Sequence, residues 1–349
     1  MSSLSRLAFE HQQKRVALSD RVARQAARLW RTVQHGQIDA GWQRIAPQLE
    51  RVVTVGQLDA AKQAPGYVSA ALRDQGSPTR GAVIVPQAFT GATLEGREVV
   101  PELYSAATTT KRLIGAGVGV GAAFQAGTGL MRLLAATMVR DAGNMADKVA
   151  AVGKRSVLMA RMVSPGACSR CAALAGVGYF TEHFERHPGC RCTTVPVASA
   201  DDPLPDGLFA SPADYFESLS RAEQDRVFTK AGAEAIRQGA DEISVVNARR
   251  GMYRTRQPGS LVARAQKRTL IGPDGVPFQG YTTVEGTSVR GWFGAGRGGS
   301  RTSGEFVRAA GDRYRRTSTV RLMPETILDL AGDDPARAVE LLREFGYMR

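Results

Sequence analysis

Acidic residues are in short supply in this chain of 349 residues. Asp and Glu number 33 against 46 Lys and Arg, a formal net charge of +13. That deficit argues for a polyanionic partner, nucleic acid first. Histidine and cysteine are scarce too, four of each, which leaves few nucleophiles and general bases from which to build catalysis. The N-terminus, Met1-Ser-Ser-Leu-Ser-Arg, lacks a basic-then-apolar pattern and a small-residue cleavage site. No signal peptide is therefore expected, and the chain is expected to persist in a reducing cytoplasm. Disorder is excluded by composition, since 43% hydrophobic and 23% charged residues are ordinary for a globular chain of about two domains. The one long uncharged run, 113–131, holds six glycines, poor helix material, so a buried or assembly-facing segment is expected and no stable membrane span.

The few thiols that exist are concentrated. All four cysteines and two histidines fall between 168 and 192, as Cys168-Ser-Arg-Cys171, His183 and His187-Pro-Gly-Cys190-Arg-Cys192. A metal knuckle is one reading. Cys168 and Cys171 share a tight turn, and a second pair drawn from His187, Cys190 and Cys192 completes a tetrahedron of three thiolates and an imidazole, or of four thiolates, suited to a structural zinc. His187 with one of Cys190 or Cys192 is the set expected. Two disulfides are another reading, disfavoured by a reducing compartment. A thiol nucleophile with a histidine base is a third, and cysteines that merely pack are the fourth. His183 and His187 stand four apart, but Phe184 occupies the place where a zinc protease needs Glu, and Pro188 ends any helix there.

The same residues carry a resemblance. Val163-Ser-Pro-Gly-Ala-Cys168-Ser-Arg-Cys171-Ala-Ala-Leu-Ala-Gly176 and Phe184-Glu-Arg-His187-Pro188-Gly-Cys190-Arg191-Cys192 resemble the signature of the MuF-like head morphogenesis family, minor capsid proteins of tailed bacteriophages. The resemblance is strongest over 130–197, and the His-Pro-x-Cys-x-Cys element is its specific part. It implies a structural and binding role near the portal vertex, inside the virion, after assembly in the host cytoplasm. Portal protein, major capsid protein and packaged double-stranded DNA are the implied partners. Two rivals stand beside it: a capsid-associated enzyme such as a maturation protease, and a cellular zinc-dependent DNA-binding protein. A fused ADP-ribosyltransferase would need Glu-x-Glu, which the chain lacks. No enzymatic activity is expected.

Along the chain, periodicity predicts a mainly α protein with a small α+β core. Val22, Ala26, Leu29, Trp30 and Val33, then Ile45, Leu49, Val52 and Val53, mark two amphipathic helices over 10–62, ended by Pro65-Gly66. A loop-rich stretch over 75–102 suggests a soft boundary. Met131, Leu134, Met138, Ala142, Met145, Val149 and Val152 mark one face of a long helix. It should deliver a strand at 156–163, a returning strand at 193–197, and between them the knuckle stapling the end of the core. Short helices follow, one opened by the capping box Ser220-x-x-Glu223 and one capped by Asp241. From Arg249 to Arg321 there are 15 Lys or Arg against 4 Asp or Glu, 15 − 4 = +11 of the chain's +13. This Gly-rich stretch is expected to be an extended basic arm that follows DNA phosphates without reading bases. Its candidate contacts are Arg249, Arg250, Arg254, Arg256, Arg264, Lys267, Arg268, Arg297, Arg301, Arg313, Arg315 and Arg316. Gly294-x-Gly296-x-x-Gly299 matches a dinucleotide motif by letter only, with no strand before it. A C-terminal helical hairpin begins at Pro324. The segments expected are a helical region over 1–110, a MuF-like core over 111–200, short helices over 201–250, the basic segment over 251–320 and the hairpin over 321–349.

Overall fold

A computed structural model describes the chain except for residues 1, 157, 164–166, 180–188, 200–203, 253, 257–262, 272–274, 284–305, 308–315, 318–320 and 349. Its elements run α1 (Ser3–Trp30), α2 (Ile38–Lys62), α3 (Ala64–Asp74), α4 (Val99–Gly115), α5 (Val120–Gly153), β1 (Leu158–Met162), α6 (Ser169–Ala172), β2 (Val177–Tyr179) and β3 (Thr193–Val197). Helices α7 (Pro212–Ser218), α8 (Arg221–Phe228), α9 (Lys230–Arg237) and α10 (Glu242–Arg250) come next. Strands β4 (Arg254–Arg256), β5 (Ala263–Ala265), β6 (Arg268–Ile271), β7 (Pro277–Gly280), β8 (Phe306–Val307) and β9 (Arg316–Thr317) then lead to α11 (Pro324–Ala331) and α12 (Pro335–Glu344). The protein is mainly helical with a small sheet, as its periodicity predicts. It divides into two compact units: unit 1 is 1–167 with 174–211, and unit 2 is 168–173 with 212–349.

Unit 1 packs α1, α2 and α4 around α5. The predicted stripes supply this core: Val22, Ala26, Trp30 and Val33 from α1 and its end, and Ile45, Leu49 and Val53 from α2, are buried with Leu103, Met131, Met138 and Val139. Because these side chains come from both sides of position 110, the segments 1–110 and 111–200 share one core. The 113–131 run is also helical over most of its length, contrary to the expectation from its glycines. Gly127 is the reason tertiary packing overrides propensity. A Cβ there would lie 2.2 Å from Thr110 Oγ1 and 3.2 Å from the Trp30 ring, so glycine lets α5 close on its neighbours. Trp30 stacks on Phe124 with ring centroids 5.6 Å apart. Pro65 starts α3 rather than ending the helical region, at a first-turn position that needs no N–H partner. The expected α5 face is rotated toward its end: Val149 and Val152 are exposed, and Ala146, Ala150 and Ala151 are buried instead.

The sheet has order β2-β1-β3, antiparallel throughout. Register pairs Met162 with Thr193 and Leu158 with Val197. A second core cluster seats Met159, Ala160, Met162, Val195 and Val197 with Tyr67, Val68, Ala71 and Leu72 of α3 and Leu4 and Ala8 of α1.

Unit 2 has a small core of Phe228, Ile236, Val245, Val246, Met323, Ile327, Leu341, Leu342 and Tyr347, all buried. Its helix starts follow the sequence signals: the Ser220–Glu223 capping box is complete, and Asp241 accepts from Ser244 N at 2.7 Å. The basic stretch is not simply an extended arm. Described parts of it form three two-stranded antiparallel ribbons, β4-β5, β6-β7 and β8-β9. Backbone bridges Met252–Thr283 and Thr282–Leu322 anchor it, and Tyr281 N donates to Thr326 Oγ1 at 2.6 Å. β-branched and aromatic residues between the arginines supply the strand preference that charge counting overlooks.

Candidate metal centre

One face of α5 builds the seat for the cysteine loop. Thr137, Arg140, Asn144 and Asp147 recur at intervals of three and four, so they line up along that face. Arg140 is 4% exposed. Its Nη1 donates to the carbonyls of Gly189 (3.1 Å) and Cys190 (3.0 Å), while its Nε donates to Ala136 O of its own helix at 3.0 Å. Gly189 N donates to Thr137 Oγ1 at 3.1 Å, and Thr193 Oγ1 to Asn144 Oδ1 at 3.2 Å. Loop 189–193 is therefore tied to the helix at both ends before it enters β3.

A buried ionic group lies further along the same face. Asp147 accepts from Arg15 Nη2 at 3.2 Å and sits 3.0 Å from His11 Nε2. The His11 ring stacks on Tyr67 at 3.7 Å between centroids and 6° between planes, and Tyr67 Oη donates to Thr194 O at 2.9 Å. Burial pushes the His11 pKa down, against the opposing pull of Asp147. Burial by itself would raise the Asp147 pKa, but the Arg15 guanidinium and His11 hold it below the usual carboxylate range. The group requires glycine at position 143, where a Cβ would come within 2.3 Å of the Arg15 guanidinium.

In the loop itself side chains alternate. Cys190 and Cys192 are 3% and 2% exposed, and Arg191 between them points outward to within 3.6 Å of Asp20 Oδ2, the alternation of extended chain. Cys171 is 3% exposed. The sulfurs of Cys171, Cys190 and Cys192 lie within 4.8 Å of one another, close enough to hold a metal ion. All four cysteines are thiols rather than disulfides.

The expected ligand set changes in two ways. Cys190 and Cys192 both join the cluster, where one of them was expected. Cys168 does not join it among the described residues. It is exposed, because it takes the extended backbone of the position before α6, φ −77° and ψ 163°, while Cys171 lies within the turn. His183 and His187 lie outside the described residues. Arg140, Thr137 and Asn144 were missed by motif reading. Their three-and-four spacing was visible, but nothing in it named the loop they hold.

The candidate DNA contacts are dispersed. Arg249 is engaged inside unit 2, pairing with Glu325 and donating to Thr229 Oγ1 at 2.8 Å. Arg250, Arg254, Arg264, Lys267 and Arg268 are exposed, with Lys267 lying 5.4 Å from the centre of the Tyr281 ring. Arg256 and Arg316 are on β4 and β9. Arg297, Arg301, Arg313 and Arg315 lie outside the described residues. No helix among the described residues is long and apolar enough to cross a membrane. Comparison with protein-family models, curated proteins and solved structures gives no match.

Proposed function

We propose that this chain is a minor capsid protein acting in head morphogenesis of a tailed phage. In this reading it binds and scaffolds near the portal vertex inside the head, with portal and major capsid protein as partners. The observation that carries it is the gathering of Cys171, Cys190 and Cys192, three signature cysteines, into one buried cluster. Thiols only 2–3% exposed are out of reach of a protein substrate, which favours architecture over nucleophilic catalysis. Zinc is the proposed occupant. Bonds of about 2.3 Å to sulfur give tetrahedral edges of roughly 3.8 Å, which sulfurs within 4.8 Å reach by small side-chain rotations. His187, three residues before Cys190, is the proposed fourth ligand.

Two measurements test this. Elemental analysis of the purified protein should report about one zinc per chain, and well under one removes zinc from the proposal. Co-expression with the portal protein encoded beside it should yield a complex that co-sediments. A gene with no portal or terminase neighbour, and a product absent from purified heads, would overturn the assembly role.

A further inference from the structure

Unit 2 contains a cleft of about 740 Å³ whose polar lining is Ser169, Arg170, Asn247, Arg249, Arg250 and Arg254. Four arginines converge there, and no acidic side chain lines it among the described residues. One of the four is already neutralised, Arg249 by Glu325, which fixes that guanidinium in the wall. The other three enter the cleft from separate pieces of chain: Arg170 from α6, Arg250 from the last residue of α10 and Arg254 from the first residue of β4. Arg250 and Arg254 are exposed, so their charge faces solvent.

We propose that this cleft is a preformed site for backbone phosphates of double-stranded DNA, with Arg170, Arg250 and Arg254 as its phosphate contacts. Guanidinium groups match phosphate oxygens in bidentate geometry and are weakly hydrated, so they exchange water for phosphate readily. Ser169 and Asn247 add side-chain donors of the kind that position a backbone without reading bases. Strand β4 and helix α10 hold two of the cations at a fixed spacing, which a flexible arm does not do. Arg170 lies nearly eighty positions from Arg249, so charge counting along the chain does not place it here. This inference deepens the DNA-handling part of the proposed function and rests on it.

The test is fluorescence anisotropy with a labelled DNA duplex across salt, using the full-length chain. Three phosphates contribute a slope of about −0.9 each in log K against log salt. The Arg170→Ala/Arg250→Ala/Arg254→Ala variant should lose about 2.7 of that slope. Equivalently, wild type should lose about forty-fold more affinity than the variant between about 50 and 200 mM salt. Arg250→Lys/Arg254→Lys should keep most of the slope, and unchanged circular dichroism and Tm show that the alanine variant is folded. The proposal is overturned if the triple variant keeps the wild-type slope, or if Arg264→Ala/Lys267→Ala alone removes it. Polyglutamate bound as tightly as the duplex would mark an acidic-protein surface instead, and inorganic phosphate bound without DNA binding would mark a small-anion site. Loss of DNA binding with portal co-sedimentation intact breaks the cleft alone. The converse result breaks the assembly role alone.

Discussion

The two units differ in the charges they bury: among the described residues, every buried charged side chain belongs to unit 1. In unit 1, Arg15, Arg140, Arg161 and Asp147 are each at most 4% exposed; Arg15 pairs with Asp147, and Arg140 donates to the carbonyls of Gly189 and Cys190 in the cysteine loop. In unit 2, Arg250, Arg254, Arg264, Lys267 and Arg268 stand in solvent. Burying a charge costs several kcal/mol unless it is paired and hydrogen-bonded. Arg15 and Arg140 are therefore committed to holding carboxylate and backbone in place. Exposed cations in water cost little and gain little from isolated pairs, so those of unit 2 keep their hydration. The same residue type is architecture where it is buried and a hydrated charge where it is exposed.

Breaking an ion pair in each unit tests that contrast most severely. Asp147→Ala leaves Arg15 buried and uncompensated, so urea unfolding should show a loss of about 3–5 kcal/mol. Asp225→Ala removes the 3.1 Å pair with the part-exposed Arg237 and should cost at most about 1 kcal/mol. Equal losses would mean that burial does not separate the two units.

A second break uses pH, because the buried His11–Asp147 group gives unit 1 an acid limb while each unit buries a tyrosine that gives it an alkaline one. In unit 2, Tyr347 is buried and its hydroxyl donates to Leu322 O at 2.8 Å; burial pushes its pKa up to about 12. The unfolded phenol loses its proton near pH 10 while the folded one keeps it. Stability is therefore full below about pH 10 and falls as pH rises toward 12, by roughly 2–3 kcal/mol at 1.36 kcal/mol per pH unit. In unit 1 the shifts of His11 and Asp147 are both downward. The unfolded chain takes up protons that the folded chain refuses. Stability should fall as pH drops below the ordinary histidine value of 6.5, and again below the ordinary carboxylate value of 3.8. Burial also pushes the Tyr67 phenol of unit 1 well above its ordinary value. In denaturation followed from pH 3 to 11.5, Tyr347→Phe should therefore remove only unit 2's share of the alkaline limb and leave the acid limb unchanged.

The mildest probe sharpens the role of the buried arginines. Arg140→Met keeps the hydrophobic stem but removes the donors to Gly189 and Cys190. Groups that orient metal ligands from behind typically contribute 10–100-fold to metal affinity, so chelator competition should show weaker metal retention of about that size. Arg191→Met, beside the same loop but exposed, should leave retention unchanged.

Much of this was legible in the sequence. The stripes of α1 and α2, the strand at 158–162, its returning partner at 193–197, the Ser220 and Asp241 caps and the terminal hairpin each follow from local periodicity or a capping side chain. Cysteine spacing pointed to all four thiols and His187 because thiols this few rarely cluster by accident, and of these Cys171, Cys190 and Cys192 come together while Cys168 does not. Long-range matters were not legible. That the glycine run is helical depends on Gly127 meeting Thr110 and Trp30, residues distant in the chain. The turn of α5 that exposes Val149 and Val152 is set by which neighbours cover the alanines.

What the sequence by itself determined is the local grammar and the inventory: helix against strand, the caps, the surplus of +13 and the confinement of every thiol to 168–192. Tertiary structure alone decided which of those groups meet. It gathered three cysteines and turned the fourth outward, buried Arg15 and Arg140 while leaving Arg250 and Arg254 in water, and brought Arg170 to the cleft of α10 and β4. The physical reason is that hydrophobic periodicity and capping act over one or two turns of chain. Desolvation, ion pairing and metal-ligand geometry depend on distances between segments, which packing of the whole unit fixes.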